Sequence, residues 1–418
     1  MESNINFNNS VKFIDGGVVA PQGFLAAGVH CGLRKNKVKK DLAMIFSKDG
    51  RECTAAAVYT KNIVLGAPVT VTKEHLKNGV AKALICNSGI ANTCNPDGID
   101  KANEMCKITA DVLGIDESDV IIASTGVIGA VLPIDPIKNG LPGLKAALSD
   151  TKEAGEDAAV AIMTTDTRKK EYAVEFEIDG KTSKIGLIAK GSGMIEPNMA
   201  TMLSFITADV DISPEMLQSA LTEVIQDTYN MVSIDGDTST NDMVSVMASG
   251  LCGNKKITEK DCGYDQFKNA LYIVCEKVSK AIAFDGEGAT KLLECKISNA
   301  DTKEGAKKLA KSVIKSSLVK TMMFGADANW GRILCALGYS GVMFDPVKVD
   351  VTYKSIAGEI DVCKNGGSIE VDEDKAKEIL SQEIIEILID MQTGKESATA
   401  WGCDLSYEYV RINGDYRS

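Results

Sequence analysis

The sequence predicts an α/β fold in which layers of sheet and helix cover each other. Short, apolar, β-branched runs alternate with amphipathic helical patterns along the chain. The composition is that of an ordinary globular protein, with 44% hydrophobic, 25% charged and 5% aromatic residues. These fractions exclude a disordered, collagen-like or coiled-coil chain. A chain of 418 residues can also bury a large core on its own.

The predicted strands of the first half are short runs that end in polar or glycine-containing turns. They are Ala55–Tyr59, Ala67–Thr72, Ala83–Asn87 and Val120–Thr125. Helical patterns cover Asp100–Leu113, which Gly114 ends, and the alanine-rich Asp150–Ala161. Tyr172–Ile178 and Ser183–Ala189 alternate with period two around an Asp-Gly turn, which predicts a hairpin.

The second half of the sequence continues the alternation. Ser213–Asp227 is a predicted helix, because Ser213 is a favourable N-cap and Pro214 suits the first helical position. Thr302–Thr321 is predicted as one helix, with its apolar residues on one face and its lysines mostly outside that face. Asp374–Met391 is predicted as another amphipathic helix.

The charge and cysteine content exclude several classes of protein. The formal net charge is −12, so we expect no nucleic-acid partner, since such proteins carry a basic excess. The longest uncharged stretch, residues 16–33, is interrupted by proline, glutamine and histidine, which makes it a poor membrane span. No signal peptide and no Cys-x-x-Cys pair is found, and His30 and His75 lie far apart. We therefore expect a cytoplasmic protein with reduced thiols and no metal.

The stretch from Lys190 to Phe205 is the most unusual in the chain. A glycine-rich turn follows a hairpin strand and leads into an apolar run that Thr201 heads. Gly191 and Gly193 leave backbone N–H groups free, so a phosphate-binding loop is one interpretation. A P-loop ends in Gly-Lys-Ser/Thr, whereas the lysine comes first here, and the third glycine of a dinucleotide fingerprint is missing.

A threonine nucleophile is the other interpretation of this stretch. A hydroxyl needs a base at neutral pH, and the α-amine of the same residue can supply one. That amine has a pKa of about 8, closer to neutrality than the pKa of a lysine. An internal threonine has no free amine, so this chemistry requires self-cleavage between Ala200 and Thr201. From the residues alone, both interpretations stay open.

Motifs in several segments carry a further indication. They are Asn87–Asn92 (NSGIAN), Ser124–Gly129 (STGVIG), Ile162–Thr167 (IMTTDT), Lys190–Ser204, Ser233–Asp242 (SIDGDTSTND), Phe284–Lys291 (FDGEGATK), Gly325–Arg332 (GADANWGR) and Asn413–Ser418 (NGDYRS). Taken in this order, they resemble the ornithine acetyltransferase (glutamate N-acetyltransferase) family of arginine biosynthesis. Members of that family mature by cutting before a threonine. The resemblance spans nearly the whole chain.

The resemblance implies a layered α/β fold with an amino-terminal threonine nucleophile. Self-cleavage would divide the protein into an alpha chain, residues 1–200, and a beta chain, residues 201–418. Thr201 would then be both the cleavage residue and the acyl-accepting nucleophile. Thr125 and Gly126 would form the oxyanion hole, where a hydroxyl and a backbone N–H are aimed at one point. Without the family, this Thr-Gly pair is equally well a strand-end turn.

The remaining residues implied by the family bind substrate. They are Thr164 or Thr165, Lys190, Thr201, Glu287, Asn413 and Ser418. Lys190 would meet a substrate carboxylate or support the nucleophile, and Glu287, between two glycines, would receive the substrate's ammonium group. Asn413 and Ser418 resemble the family's substrate-contacting tail. Without the family, an ordinary exposed lysine is the favoured interpretation of Lys190, and Glu287 is equally well a turn glutamate.

The implied reaction is a two-step acetyl transfer. Thr201 takes the acetyl group of N2-acetylornithine, ornithine leaves, and glutamate then accepts the group to give N-acetylglutamate. The amide broken and the amide made have nearly equal energies, so no cofactor is required. Acetyl-CoA separates bifunctional from monofunctional members as a co-substrate, and these motifs do not distinguish them.

The expected partners are small-molecule substrates, and the expected assembly is a heterotetramer of two alpha and two beta chains. Two other functions stay open on the sequence. A self-cleaving aminopeptidase or amidohydrolase would use the same nucleophile, with water in place of glutamate. A non-catalytic amino-acid-binding protein would bind without turnover.

Overall fold

The computed structural model describes residues 11–196 and 202–415. Its strands, β1 to β18 in chain order, are Lys12–Ile14, Phe24–Val29, Leu42–Ser47, Cys53–Tyr59, Val80–Ala81, Ala83–Ile90, Val120–Val127, Lys170–Ile178, Lys181–Lys190, Leu203–Ala208, Val232–Ser233, Met243–Ala248, Leu292–Ala300, Asp350–Ser355, Gly358–Lys364, Gly367–Ser368, Ile384–Asp390 and Glu396–Cys403. Its helices, α1 to α11, are Ala67–His75, Gly98–Leu113, Ile134–Ala146, Lys152–Ala161, Pro214–Asp227, Cys262–Phe284, Lys303–Lys315, Ser317–Phe324, Trp330–Gly338, Glu373–Leu380 and Tyr407–Gly414. Within these ranges, no helix has the length and apolar character needed to cross a membrane.

The described residues form two compact units. Unit 1 takes in residues 11–191, 202–229 and 238–278, and unit 2 takes in residues 192–196, 230–237 and 279–415. Residues on both sides of the predicted cleavage bond therefore contribute to unit 1.

Unit 1 contains two sheets. The larger has the strand order β1-β8-β9-β10-β12-β4-β5, and the smaller has the order β2-β3-β6-β7. One buried core combines residues of both sheets with alanines of α4, such as Ala158. Alternate residues of the smaller sheet, such as Met44 and Ile85, face a second core with α1, α2 and α3. Since successive side chains of a strand point to opposite faces, helices and sheets form layers as predicted.

Unit 2 has one seven-stranded sheet, with the order β11-β18-β13-β17-β14-β15-β16. Helix α7 packs on strands β13 and β18. Its face of Ala306, Leu309, Ala310, Val313 and Ile314 is buried, as the periodicity predicts. The layered α/β fold class is thus confirmed, and so are the hairpin β8–β9 and helix α5, whose Ser213 accepts a hydrogen bond from the N–H of Met216.

The prediction of a strand at Ala67–Thr72 is wrong, because these residues begin helix α1. Pro68 occupies the first turn, where its missing N–H costs nothing. Val69, Val71 and Thr72 are buried, and the Thr72 hydroxyl donates to the carbonyl oxygen of Ile122 on β7. Packing against the sheet therefore outweighs the local strand preference.

Two long predicted helices are also wrong in part. Thr302–Thr321 is divided between α7 and α8, because Ser316 has extended backbone and its hydroxyl accepts from the N–H of Val319 to begin a new helix. Asp374–Met391 is divided between α10 and strand β17. Alternating burial along Ile384–Asp390 has the period of a strand, which the apolar run concealed.

Candidate active site

Strands β6 and β7 run parallel in unit 1 and bring two glycines together. Gly126 lies opposite Gly89 and has a φ of +129°. A Cβ on Gly126 would lie 2.2 Å from the carbonyl carbon of Gly89, so only glycine allows this approach. Any other residue at position 126 would therefore displace the backbone that follows Thr125.

Thr125 and Lys190 meet at this point. Lys190 ends β9 and is 9% exposed, and its Nζ donates a hydrogen bond of 3.2 Å to Oγ1 of Thr125. The interpretation of Lys190 as an ordinary exposed lysine is therefore wrong. Because the threonine oxygen accepts from the ammonium group, its own O–H remains available as a donor. The two residues predicted to act on the substrate thus share one buried contact.

Asp166 binds the residue that follows Lys190, and the sequence motifs did not identify it as a site residue. Its Oδ1 accepts hydrogen bonds from Nζ of Lys170 and from the N–H of Gly191, each 2.7 Å long. Burial alone would raise the pKa of Asp166, but Lys170, Lys190 and the Gly191 N–H outweigh it and lower the pKa to about 2. An ionised carboxylate therefore anchors the chain directly after Lys190. Asp166 lies in the matched segment Ile162–Thr167, directly after Thr164 and Thr165.

The adjacent threonines, Thr164 and Thr165, follow helix α4 and are half-buried. The backbone N–H of Thr164 donates to Oδ2 of Asp166 at 3.0 Å. The same carboxylate therefore ties the threonine turn to Gly191. That Thr164 or Thr165 contacts the substrate stays a prediction.

Asn241 is a second residue that sequence reasoning missed. Its Oδ1 accepts from the hydroxyls of Thr93 and Thr240, each at 2.6 Å. Its Nδ2 donates to the carbonyl oxygens of Ala91 and Ser124. All four hydrogen bonds are buried, so this side chain ties the residues before β12 to the end of β7. It lies in the matched segment Ser233–Asp242.

In unit 2, Glu287 and Asn413 are brought together. Nδ2 of Asn413 donates to Oε2 of Glu287 at 2.7 Å, and Glu287 is 7% exposed. The N–H of Glu287 donates to the carbonyl oxygen of Ser192. A Cβ on Gly193 would lie 2.4 Å from the Glu287 carboxylate, so this glycine makes room for it. Glu287 is therefore a built-in buried carboxylate and not merely a turn residue.

The segment of residues 192–196 is also anchored in unit 2. Asp235 accepts hydrogen bonds from the N–H groups of Met194 and Ile195, at 2.6 and 2.8 Å. Glu196 accepts from the Ser233 hydroxyl and pairs with Lys315. The chain is thus held up to the last described residue before the predicted cleavage bond.

Ala200, Thr201 and Ser418 lie outside the described residues. The description resumes with Met202, and Leu203 opens β10. Leu203 pairs with Lys190 on one side and with Met243 on the other. The roles of Ala200, Thr201 and Ser418 in cleavage and substrate binding therefore stay predictions.

Known proteins that are similar to this chain belong to the family that the motifs indicate. The ArgJ family profile matches residues 25–418. The arginine biosynthesis bifunctional protein ArgJ of Caldanaerobacter subterraneus subsp. tengcongensis is 49% identical over 409 residues, which are 98% of this chain and 100% of the relative. The glutamate N-acetyltransferase of Methanocaldococcus jannaschii is 44% identical, over 97% of this chain and 100% of its own. The structure of ornithine acetyltransferase from Mycobacterium tuberculosis, complexed with ornithine, is 34% identical and covers 46% of this chain and 100% of its own, with a TM-score of 0.43.

The two relatives show the class of protein: the chain is an enzyme related to the acetyltransferases of arginine biosynthesis. It belongs to the ArgJ family, because the family profile and relatives above 40% identity extend over nearly its whole length. The family predicted from the sequence motifs is therefore confirmed.

Proposed function

We propose that this protein transfers the acetyl group of N2-acetylornithine to glutamate, with an acetyl group on Thr201 as the intermediate. The Thr201 oxygen attacks the acetyl carbonyl carbon, and the bond to the ornithine nitrogen breaks. The amine of glutamate then attacks the acetyl-threonine ester and leaves as N-acetylglutamate, which returns the threonine hydroxyl. The names of the relatives support this assignment, since one is a glutamate N-acetyltransferase.

The observation that carries the proposal is the Lys190–Thr125 contact beside Gly126. Acyl transfer passes through a tetrahedral intermediate whose oxygen is negatively charged. We assign the Thr125 O–H and the Gly126 N–H as donors to that oxygen. The Lys190 ammonium group, 3.2 Å from Thr125 Oγ1, adds positive charge where the negative charge develops. In a protein with a net charge of −12, this local cation also favours anionic substrates.

The nucleophile requires a free α-amine. We propose that the chain cleaves itself between Ala200 and Thr201, after which the new amine accepts the hydroxyl proton. The anchoring of residues 191–196 by Asp166 and Asp235 supports this step, because cleavage requires a fixed backbone near the scissile bond. The products would be the alpha chain, residues 1–200, and the beta chain, residues 201–418.

Substrate recognition requires groups of both charges. We assign Lys190 to a substrate carboxylate and Glu287, with Asn413, to the ammonium group of acetylornithine. Burial strengthens both interactions, since Lys190 is 9% exposed and Glu287 is 7% exposed. Thr164 or Thr165 and Ser418 complete the proposed set as hydrogen-bonding hydroxyls.

We further propose a cytoplasmic heterotetramer of two alpha and two beta chains. Light scattering and native mass spectrometry test the number of chains.

Intact-mass spectrometry of the purified protein tests the nucleophile. The expected spectrum contains a fragment that begins at Thr201, and Thr201→Ala remains one chain. The matched control is Ser204→Ala, which removes another hydroxyl of the same segment and should cleave like the unchanged protein. Incubation with N2-acetylornithine should add one acetyl mass to the fragment that begins at Thr201. An unchanged protein that stays intact would contradict the proposal.

An assay of ornithine release tests the transfer. Release beyond one ornithine per enzyme molecule should require glutamate, because the acetyl group on Thr201 must pass to an acceptor before the next turnover. Equal release without glutamate would instead indicate an amidohydrolase, and binding without release would indicate a non-catalytic protein. Replacing N2-acetylornithine by acetyl-CoA in the same assay determines whether the enzyme has a second donor.

A further inference from the structure

Helix α11 lies on the surface of unit 2 and is held there by polar contacts. All of its residues, Tyr407–Gly414, are exposed or half-buried. The Ser406 hydroxyl, directly before the helix, donates to the carbonyl oxygen of Gly288 at 2.5 Å. Near the other end, Nδ2 of Asn413 donates to Oε2 of Glu287 at 2.7 Å. Since the helix buries little apolar surface, its hydrogen bonds largely determine where Asn413 lies beside Glu287.

Tyr409 supplies a further contact, which joins the middle of α11 to Asp235. Its hydroxyl donates to Oδ2 of Asp235 at 3.3 Å. Burial, Asp235 and the charge of Glu287 raise the pKa of Tyr409, so the hydroxyl stays protonated and can donate. The carbonyl oxygen of Tyr409 accepts from Nδ2 of Asn413 at 3.0 Å, four residues further along the helix. Tyr409 therefore contacts both Asp235 and Asn413.

Asp235 is fixed by the segment of residues 192–196. The N–H groups of Met194 and Ile195 donate to its carboxylate at 2.6 and 2.8 Å. Gly193, directly before them, borders Glu287, since a Cβ on Gly193 would lie 2.4 Å from the carboxyl carbon of Glu287. Asp235 therefore holds a backbone segment that itself borders the Glu287 carboxylate.

Together these contacts form a closed ring around the Glu287 carboxylate. Asn413 joins Glu287 to α11, and Tyr409 joins α11 to Asp235. Residues 193–195 complete the ring between Asp235 and Glu287. A charged group that is held in place before its ligand arrives binds that ligand at a lower entropic cost. The loss of one contact opens the ring and leaves the position of the carboxylate less defined.

We propose that Tyr409 is a positioning residue, which holds Asn413 and the Glu287 carboxylate in place for the substrate's ammonium group, an inference that rests on the proposed function. The group concerned is the side-chain ammonium of N2-acetylornithine, because the other amine of this substrate carries the acetyl group. Tyr409 acts on it only through Asn413 and Glu287. A displaced carboxylate weakens the ion pair in the ground state and in the transition state alike, so the effect belongs in KM.

Tyr409→Phe tests this role, because it removes only the hydroxyl that contacts Asp235. We expect KM for N2-acetylornithine to rise about fivefold, the scale of one hydrogen bond, with kcat nearly unchanged. The matched control is Tyr407→Phe, the same substitution in the same helix at a residue that is 84% exposed. Its KM should be that of the unchanged protein. Steady-state kinetics at saturating glutamate measure both variants.

An analogue without the side-chain ammonium group separates positioning from a general structural role. N-Acetylnorvaline is N2-acetylornithine without that group, and its competition with N2-acetylornithine gives an inhibition constant. This constant should be the same for Tyr409→Phe and the unchanged protein, because the analogue has no charge for Glu287 to bind. A general distortion of the site would instead weaken the binding of the analogue and of the substrate alike.

A double variant shows whether Tyr409 acts through the carboxylate. KM for N2-acetylornithine in Tyr409→Phe combined with Glu287→Gln should equal KM in Glu287→Gln alone, since no carboxylate is left to position. Effects of residues that act through one contact are not additive in free energy, whereas independent effects would multiply in KM.

The outcomes distinguish this inference from the proposed function. If Glu287→Gln raises KM, the role of Tyr409 is overturned by a normal KM in Tyr409→Phe, by weaker binding of N-acetylnorvaline or by effects that multiply in the double variant. The proposed function then stands. A normal KM in Glu287→Gln overturns the ammonium site and, with it, the role of Tyr409. The absence of acetyl transfer by the unchanged protein overturns the proposed function itself.

Discussion

Nζ of Lys190 donates a hydrogen bond of 3.2 Å to Oγ1 of Thr125, although 65 residues separate them in the sequence. Lys190 ends β9 in the larger sheet of unit 1, and Thr125 is near the end of β7 in the smaller one. The contact therefore links the two sheets at the point where the motifs predict catalysis. The Lys190 ammonium group is therefore a buried cation beside the place where negative charge is proposed to develop during acyl transfer.

Replacing Lys190 by methionine should lower kcat/KM for ornithine formation about 10- to 100-fold. A hydrogen bond to a charged group is worth about 1.5–3 kcal/mol, which corresponds to this range. Steady-state kinetics with N2-acetylornithine and glutamate check the result. Lys181→Met, at the exposed end of the same strand, is the control and should retain normal activity. Equal activity of both variants would remove Lys190 from the site.

Gly126→Ala should lose most activity, by roughly 100-fold or more, because a displaced oxyanion donor costs about that factor. The added Cβ would lie 2.2 Å from the carbonyl carbon of Gly89, so the backbone must move. Gly129→Ala is a matched control, since Gly129 also has positive φ but no atom within 4 Å of an added Cβ. Its expected effect is a loss of about 1 kcal/mol in the free energy of unfolding with activity retained. Kinetics and urea unfolding of both variants distinguish crowding from strain.

Glu287→Gln should raise KM for N2-acetylornithine about tenfold and change kcat little. The substitution removes the negative charge proposed to bind the substrate's ammonium group, and a binding contact shared by ground and transition states appears in KM. Glu408→Gln is the control, because Glu408 is 52% exposed and pairs with Arg411 at the surface. An unchanged KM in Glu287→Gln would contradict the assignment.

Asp166→Asn should destabilise the protein by about 3 kcal/mol at pH 7, because it removes the carboxylate that pairs with the buried Lys170 ammonium group. The folded-state pKa of Asp166, about 2, is below its unfolded value of 3.8. The stabilisation is therefore fully present above about pH 4 and is lost as the pH falls toward 2. The difference between the two proteins should shrink by about 2 kcal/mol over that interval.

Urea unfolding at a series of pH values measures this difference. The Thr201→Ala background keeps the protein as one chain and removes cleavage from the comparison. Glu156→Gln, a partly exposed carboxylate that pairs with Lys169, should behave like the parent protein. A constant difference between Asp166→Asn and its parent from pH 7 to pH 2 would contradict the assigned ionisation.

Local signals predicted the elements whose ends carry capping or turn residues. The Asp-Gly turn between β8 and β9, and the Ser213 cap of α5, are examples. Prediction was wrong where one pattern suited two structures. The β-branched run that begins at Ala67 is helical because it packs on β7, and the apolar run after α10 became strand β17 because it pairs with β13 and β14.

The sequence by itself determined the family and the type of chemistry, because motif residues and their order are properties of the chain alone. Only the tertiary structure decided which side chains are desolvated and what they meet. Lys190, Asp166 and Asn241 gain their roles from strands and turns far along the chain. Burial and hydrogen-bond partners arise from such remote contacts, and they determine the charge state of a side chain as much as its chemical type does.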